Sequence, residues 1–386
     1  MNSIFDYFKS IDTELIEFIE DLPEEAIGKS ISIFNGESFE FQPNSVVFFG
    51  VPEDRYTINN KGTGANLNAF RKQFYQMFVG HWKTKIYDLG DLRIGNSVSD
   101  TEIALNTIIT TIIKEKAIPF IVGGSHALTY TMYRAFDSLE QRVNLSVVDS
   151  EFNLGNINDT INSKSYLNKI IMDKPNNLNN FSNIGFQTFK NSQEEILLLD
   201  DLFFDTYRLG EIKNDLELVE PILRNTTILS IDIEGICRND APAHNNNGIS
   251  GFSAEDICVI ARYAGLSDGL KAMGVFEYNS ALEKTPITAE LLAQILWYFV
   301  EGVSSRFYEF PNNKLNGFKK FMVIIENDTY NFYKSNKSNR WWMEIFLEKD
   351  NKPKRRSLIP CTYGDYLSAT QEVIPKRWYD NRKKLL

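Results

Sequence analysis

Along most of the chain, short continuous apolar runs alternate with stretches whose apolar positions recur every three or four residues. The first pattern predicts buried strands and the second amphipathic helices. Strands are expected at 45–51, 86–91, 118–122, 143–148, 181–186, 227–233 and 272–277. Helical periodicity covers 66–78, 99–116, 127–136, 253–264 and 288–302, with Ser99 or Asp100 capping the second of these. Such alternation favours a mostly parallel sheet covered on both faces, so the expected fold class is α/β, a three-layer α/β/α sandwich. An Asn- and Ser-rich stretch from 156 to 183 reads as a long surface loop around a helix at 166–171. Residues 1–44 and 308–386 fall outside the periodic part and read as extensions of a 45–307 domain, the second ending in an aromatic and basic tail.

Three of the expected strands stop in residues able to ligate a metal: Ile121-Val-Gly-Gly-Ser-His126, Val147-Val-Asp149-Ser-Glu151-Phe-Asn153 and Ser230-Ile-Asp232-Ile-Glu234. In an extended strand alternate side chains share a face, which would align Asp149 with Glu151 and Asn153, and Asp232 with Glu234. If parallel strands bring these ends together, one histidine, four carboxylates and one amide meet at the carboxyl edge of a sheet, where open α/β folds bind ligands. Four converging carboxylates repel one another, so the cluster needs either bound cations or a replacement positive charge. Arg238, four residues beyond Glu234, is a candidate for the latter.

Composition narrows the function classes. With 386 residues, 43% of them hydrophobic, the chain can bury a large core. Its 41 basic and 51 acidic residues give a net charge of -10, which argues against nucleic-acid and anionic-membrane partners. No apolar run reaches the roughly 18 residues of a spanning helix, so membrane insertion is not expected. Three scattered cysteines (Cys237, Cys258, Cys361) make neither a disulfide framework nor a zinc site, and the opening residues carry no targeting pattern. A cytoplasmic location is the expectation.

The segments Gly123-Gly-Ser-His126, Asp149-Ser-Glu-Phe-Asn153, Ser230-Ile-Asp-Ile-Glu234 and Phe276-Glu277-Tyr-Asn279 occur in an order and spacing that resembles the ureohydrolase superfamily of arginase, agmatinase and formimidoylglutamase. Asn183-Ile-Gly-Phe-Gln-Thr188, Arg208-Leu-Gly210 and Ala261-Arg-Tyr-Ala-Gly265 are similar to its formimidoylglutamase-like branch. The likeness covers roughly residues 46–305, and the ordered set is far more specific than any one motif. It implies an arginase-like sandwich, a two-manganese centre, hydrolysis of the carbon–nitrogen bond of a small amidino or guanidino molecule, and homo-oligomers.

On that resemblance Asp149 and Asp232 bridge two ions, His126 and Asn153 complete one and Glu151 and Glu234 the other, while Glu277 orients the substrate. The ligand set departs from the family pattern: Glu151 stands for a histidine, Asn153 and Glu234 for aspartates, and Ser125 and Ala127 flank His126. An oxygen-rich set of this kind suits manganese, magnesium or calcium. The family's proton-shuttling histidine has no counterpart between Leu154 and Ser165, leaving His244 as a substitute or as a solvated loop residue. Two readings follow: a divergent amidine hydrolase with a divalent metal, or a catalytically silent relative acting as an interaction or assembly subunit with a protein partner.

Overall fold

The computed structural model describes residues 3–156, 160–311, 315–347 and 355–385. Among these residues the larger sheet is built from β1 (Phe8–Lys9), β2 (Ser32–Ile33), β3 (Val46–Val51), β4 (Ile86–Leu92), β5 (Ile118–Gly123), β6 (Val143–Val148), β7 (Leu178–Phe186), β8 (Asp205–Arg208), β9 (Ile228–Asp232) and β10 (Ala272–Phe276). Its order is β1-β4-β3-β5-β10-β9-β6-β7-β8, with β2 also on β4. Every pairing except β1 with β4 is parallel. The expected sheet is present, and it is covered on both sides.

Side-chain alternation sorts the strands onto two cores. Phe48, Phe120, Val122, Leu229, Ile231 and Val275 face helices Asn68–Tyr75, Ala254–Leu266 and Ile287–Ser304. Val47, Phe49, Ile121, Leu145, Val147 and Phe276 face helices Val98–Lys114, Leu128–Arg134 and Tyr166–Met172. The result is the expected three-layer α/β/α sandwich.

Several boundaries move. Helix Val98–Lys114 is capped by Ser97, whose hydroxyl accepts from Asp100 N while the Asp100 carboxylate accepts from Ser97 N, so Asp100 closes a capping box and Ser99 lies within the first turn. The expected loop at 156–183, of which 157–159 lie outside the described residues, gives way to β7 from Leu178 onward. Helix Gln193–Asp201 and strand β8 were not expected at all.

Beyond the sandwich, β11 (Phe318–Ile325), β12 (Asp328–Ser335), β13 (Trp341–Leu347) and β14 (Arg355–Cys361) form a separate antiparallel sheet in that order. Its own core of Phe332, Met343, Ile345 and Ile359 packs against Tyr366 and Trp378 from the last two helices. Arg224 ties the two parts together: it donates to the Trp341 carbonyl at 2.8 Å and lies over the Trp342 ring at 4.5 Å. Among the described residues no helix is long and apolar enough to cross a membrane.

Candidate metal centre

Register brings the site together. Val122, Val275, Ile231 and Val148 form one row across β5, β10, β9 and β6. One residue further on, Asp232 and Asp149 therefore stand side by side at the carboxyl edge. Past β5, the Gly-Gly pair lets the chain pass through crowded space. A Cβ on Gly123 would lie 2.3 Å from the Phe276 ring, and one on Gly124 would lie 2.2 Å from the Glu53 carbonyl. His126 follows two residues later, fully buried.

The shared strand face expected for Asp149, Glu151 and Asn153 is not what aligns them. Strand β6 ends at Val148, and Asp149 Oδ1 accepts from Glu151 N at 3.0 Å. Asp232 does the same with Glu234 N at 2.8 Å, at the start of a 3-10 turn. These are two Asx turns on neighbouring strands. Each spends one carboxylate oxygen on the backbone and leaves Oδ2 facing the centre. Asn153, at a positive φ of 57°, turns its side chain back so that Nδ2 donates to Asp149 Oδ2 at 2.6 Å.

His126 Nδ1 lies 2.9 Å from Asp232 Oδ2 and 3.3 Å from Asp149 Oδ2, aligned for a hydrogen bond with neither. Its Nε2 is held by Ser230 Oγ at 2.9 Å and by Tyr166 OH at 3.3 Å. Burial opposes charge on the ring, but Asp232 and Asp149 outweigh it and raise the His126 pKa to about 9. Burial alone would raise Asp232 as well; His126 instead holds it well below the usual carboxylate range.

The cations that reach the outer carboxylates are two lysines that the sequence reading did not single out. Lys164 Nζ lies 2.5 Å from Glu234 Oε2 and 3.0 Å from Glu151 Oε2. Lys190 Nζ lies 2.6 Å from Glu234 Oε1 and 3.7 Å from Glu151 Oε1. Lys164 is presented by a turn in which its N–H meets Asn162 Oδ1 and Ser163 N meets the Tyr56 carbonyl. Lys190 ends a 3-10 turn after β7 and also donates to Ser150 Oγ at 3.0 Å. Burial raises the Glu151 pKa to about 7, against the pull of Lys164. Arg238, the candidate from the sequence, is exposed and gives its Nε to the Asn247 carbonyl at 2.8 Å.

Glu277 follows β10 at a positive φ of 70° and is buried. Its Oε1 accepts from His126 N at 2.9 Å and Thr57 Oγ1 at 3.2 Å, and its Oε2 from Asn60 Nδ2 at 2.9 Å. Burial raises its pKa to about 7. His244 is not a solvated loop residue: it is buried, with Nε2 4.0 Å from Glu277 Oε2, and burial lowers its pKa.

The sequence profile of the arginase family matches residues 44–301. The chain belongs to the arginase family. No curated protein matches the sequence closely enough to count as a relative. Solved structures that share the fold include formiminoglutamase of Trypanosoma cruzi with Mn2+, at 19% identity and a TM-score of 0.65, covering 74% of this chain and 100% of that one. Formimidoylglutamase of Bacillus subtilis matches at 15% identity and a TM-score of 0.65, with 75% and 94% coverage. A hypothetical agmatinase of Burkholderia thailandensis matches at 20% identity and a TM-score of 0.58, with 69% and 88% coverage.

The manganese that the arginase family implies can be tested against these donors. Asn153 Oδ1 is a buried atom without a partner and His126 Nδ1 faces only the two aspartates, so both residues are grouped around Asp149 Oδ2 and Asp232 Oδ2. Imidazole nitrogen with hard oxygens suits a divalent ion such as Mn2+. One ion therefore fits the inner half of the arginase-family site. The outer half does not fit a second, because Glu151 and Glu234 are already closed onto ammonium groups. Lys164 and Lys190 carried no local signal; only the surplus of four carboxylates called for a cation.

Proposed function

We propose that this arginase-family chain does not run two-ion hydrolysis of amidines and serves as an interaction or assembly subunit. The observation that carries the reading is Lys164 Nζ at 2.5 Å from Glu234 and 3.0 Å from Glu151. Two divalent ions about 3.5–4 Å apart lower the pKa of a bound water enough to supply hydroxide near neutral pH. An ammonium brings one charge and no open coordination position. Glu234, paired with both ammonium groups, has little negative charge left to offer a second ion.

Glu277 supports the same reading, since His126 N, Thr57 Oγ1 and Asn60 Nδ2 already take most of its acceptor positions. The sheet β11 to β14 adds surface beyond the matched residues, with Met322 and Ile324 exposed on β11. Apolar positions of this kind favour association, either with a second copy or with another protein.

The test is release of ammonia, urea or formamide from formiminoglutamate, agmatine and arginine in the presence of Mn2+. The expected rate equals that of Asp232→Asn; clear turnover by the unmodified chain alone overturns the reading. One observation favours the alternative of a divergent amidine hydrolase: His126, Asp149 and Asp232 keep ligand atoms within 4.8 Å of one another. The same assay decides between them.

A further inference from the structure

We propose that the centre takes one divalent cation and that Lys164 and Lys190 hold the place of a second. The inference rests on the reading above, that the two-ion chemistry has been given up, and adds a stoichiometry to it. Geometry supplies the first argument. His126, Asp149 and Asp232 each offer an atom within 4.8 Å of the others, all three buried. Asn153 Oδ1 is left without a hydrogen-bond partner in a residue at 4% exposure, while the N–H of the same side chain meets Asp149 Oδ2. Buried polar atoms in native proteins are nearly always satisfied, so an unpartnered amide oxygen beside three clustered ligand atoms points to a missing ligand.

Charge supplies the second. Asp149, Glu151, Asp232 and Glu234 bring four negative charges, and Lys164 and Lys190 return two positive ones. A ligating histidine must be neutral. One divalent ion then makes the cluster neutral. Two ions would leave a double positive charge, which is costly in a largely buried site. Lys190 Nζ also donates to Ser150 Oγ, and the turn that carries Lys164 is pinned through Ser163 N to the Tyr56 carbonyl.

The experiment is Mn2+ binding to the full chain, first stripped with chelator, followed by calorimetry, elemental analysis and electron paramagnetic resonance. The expected result is one Mn2+ per chain with the spectrum of an isolated ion, a raised Tm, and loss of binding in Asp232→Asn. In the Lys164→Met/Lys190→Met double variant two ions per chain are expected, with a spin-coupled spectrum. Should that variant not fold, Lys164→Gln, which keeps an N–H donor, is expected to show a second, weaker binding event. Two ions in the unmodified chain, or none, overturn the inference even if no substrate turns over. A single ion in a folded lysine variant overturns the role given to the lysines. One ion together with amidine turnover refutes the functional reading and leaves the stoichiometry standing.

Discussion

Asn153 donates its side-chain N–H to Asp149 Oδ2 at 2.6 Å while its own amide oxygen is buried without a partner. Asn153→Asp would replace that donor with a carboxylate facing another carboxylate. In metal-free protein the change is expected to cost about 2 kcal/mol, the usual worth of a hydrogen bond to a charged group. Mn2+ should reduce the deficit. Thermal unfolding with chelator and with Mn2+ reads both; an unchanged deficit on adding Mn2+ contradicts the assignment of Asn153 to the ion site.

Lys164 touches both outer glutamates closely, whereas Lys190 is close only to Glu234. Breaking a buried ion pair from one side strands the other charge. Lys164→Met is expected to lower stability by about 3 kcal/mol, at the low end for such pairs because Lys190 remains. Lys190→Met should cost less. Urea denaturation at neutral pH measures both, and the reverse order would contradict the geometry.

Proton linkage gives a pH signature in metal-free protein. The folded chain holds a proton on His126 up to about pH 9, well above the ordinary histidine value of 6.5. The native state therefore binds the extra proton, and its stabilising contribution is complete below the unfolded pKa and lost as pH rises through about 9. Glu277, raised to about 7, acts with the same sign at lower pH. Denaturation midpoints should fall steadily from pH 6 to 9. His126→Asn should flatten the upper part of that slope, and a slope unaffected by the substitution would remove His126 from the account.

Arg224 spans from the sandwich to the second sheet. Its substitution by alanine removes the bond to the Trp341 carbonyl, the contact over Trp342 and the pairing with Glu220. A loss of about 2 kcal/mol is expected from a buried cation over an aromatic ring plus one hydrogen bond. Limited proteolysis should then cut preferentially between 305 and 318. Equal cutting in both proteins would mean that other contacts hold the sheet in place.

Strands such as 118–122 and 272–277 were legible because they lie in the middle of the sheet, buried on both faces, and so must be apolar throughout. Strand β7 was read short because it opens on Asn179 and Asn180, whose amides bond to Asn144 and Asp205 at the sheet's other edge. Helix Gln193–Asp201 has no clean stripe: Leu199 is buried while Leu197 and Leu198 are exposed. On β11, exposed Met322 and Ile324 blur the two-residue alternation that would have revealed a strand.

The site divides in the same way. His126, Asp149 and Asp232 were legible because they stand at or within three residues of the ends of apolar strands, and parallel pairing of those strands then brings the ends together. Lys164 and Lys190 lie 70 and 44 residues from Glu234 along the chain, and nothing local ties them to it. The need for positive charge could be deduced from the acids. Its source could not, and the nearest arginine in sequence was the wrong one.

The paired Asx turns bear on where this centre tolerates the longer acid. At 149 and 232 the side chain must close a short ring onto the amide two residues ahead, and an added methylene would spoil that closure. At 151 and 234 the main chain contributes the amide and asks nothing of the side chain. The longer acids stand at the two permissive positions and the shorter ones at the two constrained positions, so the backbone itself sorts aspartate from glutamate around the centre.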